Sequence, residues 1–179
     1  MVKALAISSF VVFAFIAVSA TPLGIAQAKK PMSSMQGGMS MREWELGSWS
    51  CRSHMSAMGR MPARTMNTTM TFRVNEMRRW IDLSSTENGR VGFMGHMSRR
   101  ASNGVFTGID DEGDLVTENL GSGWTGNMMT MTGTMWGPHG TGRVRDTVTR
   151  ISDTHFRHDT YAYMNGSWKL MGSDDCTKM

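Results

Sequence analysis

Cys51 and Cys176 are the only thiols of this chain, and they stand near the beginning and the end of everything that reads as folded. An apolar leader precedes both, so the mature chain meets an oxidising compartment, where a lone pair of this kind reads as one disulfide joining the first structured segment to the last. The segments between them read as strands. A chain of strands whose two ends must lie close enough to be bridged is most simply a sheet rolled up until its edges meet. By the chain-entropy argument a bridge closing so long a loop contributes about 4 to 5 kcal/mol. Two unpaired buried thiols are the alternative.

Residues 1–28 have the parts of a signal peptide: Lys3, an apolar run from Ala4 to Ala20, and Ala26-Gln27-Ala28 ahead of Lys29-Lys30. Val18-Ser19-Ala20 is a second cleavage site; cleavage after Ala28 is preferred. Ser8, Ser9 and Ser19 dilute the run, which falls short of the roughly 20 strongly apolar residues of a span. No membrane span is therefore expected once the leader is gone, and the expected location is secreted or periplasmic. What remains is about 150 residues, the size of one domain. The net charge of +4 and pI near 9.4 are mildly basic. Arg78-Arg79 and Arg99-Arg100 sit apart, and no cluster combines basic residues with exposed-looking aromatics, so nucleic acid is not an expected partner.

The Gly, Ser and Met-rich stretch from Lys29 to Met41 has no period, which predicts a flexible linker over 29–43 and a folded domain over 44–179. From Trp44 onward the pattern has period two. In Thr65–Val74, Met66, Thr68, Met70, Phe72 and Val74 share one face and the polar residues take the other, as in a half-buried strand. Similar segments are Leu46–Met55, Met77–Ser85, Arg90–Arg99, Gly104–Ile109, Asp114–Leu120, Ser122–Met135, Gly142–Ser152, Thr154–Met164 and Ser167–Gly172. Asn165-Gly166 and Asn88-Gly89 tolerate the positive φ values of type I′ hairpins, and Asp110-Asp111-Glu112-Gly113 reads as a tight acidic turn. Consecutive hairpins predict an all-β fold: a single antiparallel up-and-down β-barrel of about ten strands, closed so that no edge is left unpaired.

Leu46-Gly47-Ser48-Trp49, a Gly-x-Trp at the opening of the first strand, resembles the lipocalin and wider calycin signature. In that signature the tryptophan plugs one barrel end, which gives Trp49 its expected role. Together with Gly123-Trp124-Thr125-Gly126, Thr147-Val148-Thr149-Arg150, Asn165-Gly166-Ser167-Trp168 and Cys176-Thr177-Lys178, it is similar to the secreted bacterial lipocalin-like proteins of DUF1579 type, over roughly residues 44 to 178. The resemblance implies a barrel with an interior cavity and no catalytic residues. A related branch, the nitrobindin-like barrels, holds haem through a histidine and continues Gly-x-Trp-x-Gly; here Cys51 ends that pattern, so no haem is implied.

Twenty methionines in 179 residues are the compositional anomaly. Soft thioethers select Cu(I), and Met32-x-x-Met35, Met39-x-Met41 and Met55-x-x-Met58-x-x-Met61 have the spacing of copper-handling segments, with His54 beside them. Met66, Met70, Met94, Met128 and Met164 instead lie inside strand patterns, where a thioether is a core filler. Oxidant protection is a further role open to such thioethers. Of His54, His96, His139, His155 and His158, the last two are three apart on a strand and point to opposite faces. Asp110–Asp114 lacks the spacing of a calcium loop. No nucleophile elbow is present, and Asp82, Glu118, Asp146 and Asp159 offer carboxylates without singling out a pair.

The aromatics Phe72, Trp80, Phe93, Trp124, Trp136, Tyr161 and Tyr163 are spread over many strands as the walls of a ligand pocket would be. The expectation is a monomeric barrel, free of metal and cofactor, that binds a small apolar or amphipathic molecule without turnover. The rival is a copper-binding or oxidant-protective protein using His54, Met55, Met58 and Met61.

Overall fold

The computed structural model describes residues 43–57, 62–76, 80–98, 103–138 and 140–179. The leader, nearly all of the linker, Met58, Met61, His139 and the two arginine pairs lie outside the described residues. A single turn of 3-10 helix, Glu43–Glu45, leads into eleven strands: β1 (Gly47–Met55), β2 (Arg64–Val74), β3 (Trp80–Glu87), β4 (Arg90–Ser98), β5 (Val105–Asp110), β6 (Leu115–Asn119), β7 (Trp124–Thr125), β8 (Met128–Gly137), β9 (Gly140–Ser152), β10 (His155–Met164) and β11 (Ser167–Lys178). Each strand from β1 to β6 pairs antiparallel with the next, as do β8 to β11.

Two contacts close the ring. β1 pairs with β11, and β6 pairs with β8, giving a closed ten-strand antiparallel barrel with the two-residue β7 folded beside β8. Cys51 and Cys176 face each other directly in the β1–β11 register and are joined by the disulfide, so the covalent bridge lies on the closure itself.

The hairpins follow their turn chemistry. Asn88-Gly89 and Asn165-Gly166 both adopt the left-handed φ values, 51° and 77° in the first pair and 52° and 80° in the second, that a two-residue type I′ connection requires. Two segments differ from the sequence reading. Ser122–Met135 is not one strand, because the chain turns at Gly126 (φ 63°) and separates β7 from β8. β11 runs on past Gly172 to Lys178, with Ser173, Asp174 and Asp175 paired inside the sheet.

Glycines let two inward rings cross the β4–β5 seam. A Cβ on Gly108 would lie 2.9 Å from Phe93 Cε1, and one on Gly95 would lie 2.8 Å from Phe106 Cε2. Each ring thus covers the glycine of the neighbouring strand, and the two stack with centroids 6.0 Å apart.

Candidate functional site

Strand alternation divides the interior into two zones along the barrel axis. At the end where the β2–β3, β4–β5 and β9–β10 connections lie, Trp49 is fully buried and its Nε1–H donates to the Glu45 carbonyl at 2.7 Å. Its ring meets Phe156 edge-on at 4.8 Å and Trp44 at 5.8 Å, and Trp44 in turn meets Trp124 at 5.6 Å. Phe72, Leu120, Met129 and Ile81 complete this plug. Lys178 lies over the Trp49 ring, with Nζ 5.2 Å from its centroid, and donates to the Trp44 carbonyl, which ties the last strand to the turn before the first.

One or two positions further along the same faces the interior becomes polar. Cys51 is followed inward by Ser53, whose hydroxyl shares a 2.9 Å hydrogen bond with that of Thr68. Cys176 is preceded by Asp174, and Phe156 is followed by His158, because residues two apart on a strand share a face. His158 and Asp174 are directly opposed in the β10–β11 register, with Nδ1 and Oδ2 3.0 Å apart. The other ring nitrogen of His158 lies 3.5 Å from Oδ1 of Asp146 on β9. Asp146 in turn lies beside Glu118 of β6 and is directly opposed to Thr160 in the β9–β10 register. A belt of Thr68, Ser53, Asp174, His158, Asp146 and Glu118 thus spans six strands.

Gly133 makes its last link possible. β8 lies between β6 and β9, and Gly133 is the residue opposite Glu118. A Cβ there would come within 2.7 Å of the Glu118 Cα. Only a glycine lets β6 close this tightly, and its missing side chain leaves Glu118 a path to Asp146.

The belt's protonation states follow from burial and pairing. Glu118 is 1% exposed, and among the described residues no donor reaches either of its oxygens. Burial first, then the neighbouring Asp146 charge, push its pKa up from 4.5 to about 9, so at neutral pH it is a neutral acid beside Asp146. Burial by itself would raise Asp146 too. The charge of His158 and the hydrogen bonds from His158, Glu118 and Thr160 outweigh it and hold Asp146 below the usual carboxylate value. For His158, burial opposes the cation, but the Asp146 charge and the hydrogen bonds to Asp146 and Asp174 carry its pKa well above 6.5. At neutral pH the His158 imidazolium therefore faces the ionised Asp146, with a carboxylic acid beside that pair. Within the belt the acidic side chains are Glu118, Asp146 and Asp174, against the single basic side chain of His158.

The side chains expected to wall a pocket do not converge. Phe72 belongs to the plug, Trp124 packs against it, and Phe93 faces inward over Gly108. Trp80 alternates with the buried Ile81 and faces outward, as do Trp136, Tyr161 and Tyr163. Trp136 and Tyr163 are 44% and 40% exposed, which corrects their assignment to an interior wall. Of the copper set, His54 and Met55 are adjacent on β1 and point to opposite faces; His54 Nδ1 contacts the Thr65 hydroxyl and Met55 Sδ accepts from Arg64. Among the described residues no group of three or more His, Cys, Asp or Glu side chains is arranged to hold a metal ion. His155 and His158 do face opposite ways, one to Asp175 outside and the other to Asp174 inside. A groove of about 310 Å³ lies on the outer surface of β2, β3 and β4, where Asp82 and His96 pair at 2.8 Å.

Sequence reasoning named Glu118 and Asp146 without joining them, and passed over Asp174 and His158 as a pair. The available signal was polar residues at inward positions of strands, two residues from a cysteine or an aromatic.

No family model and no curated protein matches the chain. Among solved structures it is similar to Rv2717c from M. tuberculosis (TM-score 0.59, 8% identity, covering 80% of this chain and 98% of that one). It is also similar to a DUF3598-family protein of unknown function from Nostoc punctiforme (TM-score 0.52, 12% identity, covering 76% of this chain). It spans 48% of that second protein's length. At such identities the likeness shows the barrel fold. The DUF1579 and lipocalin assignment is not carried by these neighbours. The disulfide is compatible with an extracytoplasmic compartment, and no helix among the described residues is long and apolar enough to cross a membrane.

Proposed function

We propose that this is a secreted or periplasmic binding barrel that takes a small amphipathic molecule into its interior without chemical turnover. One observation carries the reading: His158 and Asp174 face inward on regular strands, yet their side chains remain 21% and 18% exposed. An inward-facing charged pair that water still touches implies an interior open on that side. Below it lies the apolar plug. A ligand entering there would meet aromatic and aliphatic surface with its apolar part and the belt with its polar end. The carboxyl groups of the belt favour a polar end that donates hydrogen bonds or carries positive charge.

Binding is favoured over turnover by where the acid sits. Glu118 and Asp146 are a protonated and an ionised carboxyl side by side, the pairing acid–base chemistry requires. At 1% exposure, however, Glu118 is beyond the reach of a substrate, and its proton serves Asp146.

Native mass spectrometry of protein purified from its own host tests the reading. The expected result is a retained small molecule in the wild type that is lost in His158→Ala and Asp174→Asn, with both variants folded by circular dichroism. A wild type that is persistently empty and ignores amphipathic amines and fluorescent apolar probes would overturn it.

A further inference from the structure

Arg90, Arg150 and Arg157 each have a carboxylate partner, in Asp111, Asp153 and Asp159. Arg143 and Arg145 have aromatic rings instead. Val144 and Asp146 point inward, so these two arginines share the outer face of β9. The Arg143 guanidinium carbon lies 4.8 Å from the Tyr163 centroid and 5.5 Å from that of Trp168, and that of Arg145 lies 4.6 Å from Tyr161 and 4.8 Å from Trp168. A bulge makes the cluster possible. Alternation from the inward Asp174 would turn Trp168 inward too, but between Thr160 and Tyr161 the β10–β11 register shifts past Met171, which sets Leu170 opposite Tyr161 and Trp168 opposite Tyr163 on the outer face. No segment of the sequence combines basic residues with exposed aromatics; strand register assembles such a cluster from three of them, which corrects that reading.

The electrostatics of this cluster are incomplete. Both guanidinium carbons lie within 5.5 Å of one indole centroid, so two like charges are held side by side. A ring attracts a cation through its quadrupole but has no charge to cancel it, and stacking leaves the in-plane N–H donors of a guanidinium free. Among the described residues no carboxylate pairs with either arginine, and Arg145 Nε is buried without an acceptor. What such a pair lacks is a compact dianion that accepts from both forks, as a phosphate monoester does; a carboxylate carries too little charge. The positive charge is also local. The neighbouring outward positions of β9 are Thr141, Thr147 and Thr149, so the strand offers two cations and not the track of them that a polynucleotide follows. Tyr163 and Leu170, 40% and 38% exposed, give the organic part of an ester an apolar surface beside the arginines.

We propose that the outer face of β9, β10 and β11 binds a phosphate monoester, its phosphate held by Arg143 and Arg145 and its organic part lying against Tyr163 and Leu170. The site uses only outward residues and stands apart from the interior ligand reading. A soluble ester and a phosphatidic acid headgroup present the same group, and the two arms of the test separate these sources.

Calorimetric titration of the purified protein with phenyl phosphate is one arm; flotation with phosphatidylcholine vesicles containing phosphatidic acid is the other. In the first arm a dissociation constant below about 1 mM is expected, tighter than for inorganic phosphate and weakened by salt. Arg143→Ala and Arg145→Ala should each weaken binding by roughly tenfold or more, with circular dichroism and the thermal midpoint unchanged. Arg143→Lys should weaken it as well, because lysine keeps the charge but loses the stacked fork. Arg157→Ala, on the outer face of β10 but paired with Asp159, should leave it unchanged. Flotation that depends on both Arg143 and Arg145, without phenyl phosphate binding, supports the site and makes its source a lipid. Absence of binding in both arms overturns the proposal. So does binding indifferent to Arg143→Ala, binding lost equally in Arg157→Ala, or a short single-stranded oligonucleotide that binds roughly a hundredfold tighter than phenyl phosphate, which would give the face to nucleic acid.

Discussion

The two halves of the barrel interior are made by the same ten strands and are built on opposite principles. Around Trp49 the inward side chains are mostly aromatic and aliphatic, and the buried Trp49 indole N–H is satisfied by the Glu45 carbonyl. Around His158 the inward groups are charged, and their pairing only offsets what burial costs them. The step between the halves is short: Trp49, Cys51 and Ser53 are successive inward residues of one strand. The apolar plug and the polar belt occupy different storeys of one cylinder, with the disulfide on the floor between them.

The largest effect should come from that floor. Reducing the bridge, or replacing both cysteines with alanine, is expected to cost about 4 to 5 kcal/mol in urea unfolding, because a 125-residue loop is released in the unfolded chain. A loss below about 1 kcal/mol would mean that the β1–β11 seam holds without it. Next, Trp49→Ala should cost about 3 to 5 kcal/mol through the cavity it leaves among Trp44, Phe72 and Phe156. Were it near neutral, the plug would not be the stabilising half. His158→Ala should cost less, about 2 kcal/mol, since it strands Asp146 without its cation in a site that water partly reaches. Asp82→Asn on the outer face should change stability by under about 0.5 kcal/mol, its partner His96 being mostly solvated.

The belt is also read in pH. Glu118 has a raised pKa, so the folded chain keeps a proton that the unfolded chain releases above 4.5, and stability falls as pH rises from there towards 9. His158, also raised, adds stability fully present below 6.5 and lost as pH climbs through its folded value. Asp146, lowered, contributes above 3.8 and is lost only in stronger acid. Stability should therefore peak on the acid side of neutrality and decline between pH 5 and pH 8 by on the order of 1 kcal/mol for each pH unit, because Glu118 keeps throughout that window a proton that the unfolded chain has lost. Glu118→Gln should flatten that decline. A wild-type curve rising over this range would break the assignment.

Most of the barrel was legible because its walls alternate, as in Thr65–Val74, and because Asn-Gly marks hairpins by backbone sterics alone. What stayed hidden was hidden by polar residues facing inward. Ser173, Asp174 and Asp175 look like the end of a strand, yet Asp174 is drawn inside by His158 while Asp175 meets His155 outside, and β11 runs straight through them. The same effect concealed the site. Glu118 and Asp146 meet only because β8 lies between their strands with a glycine at the crossing, and strand register is a tertiary property that no local pattern encodes. The spread of the aromatics over many strands suggests pocket walls, but their faces, set by alternation from Ile81, Met131 and His158, send four of the seven outward.

Gly133 bears on more than the belt. The cylinder is riveted at one seam by sulfur and merely buttoned at the opposite one, where β6 offers five residues to β8. Any side chain at 133 would prise that second seam apart and bare two naked strand margins to neighbouring molecules. A single methyl group there would turn a sealed tube into an open ribbon prone to stacking with its own kind.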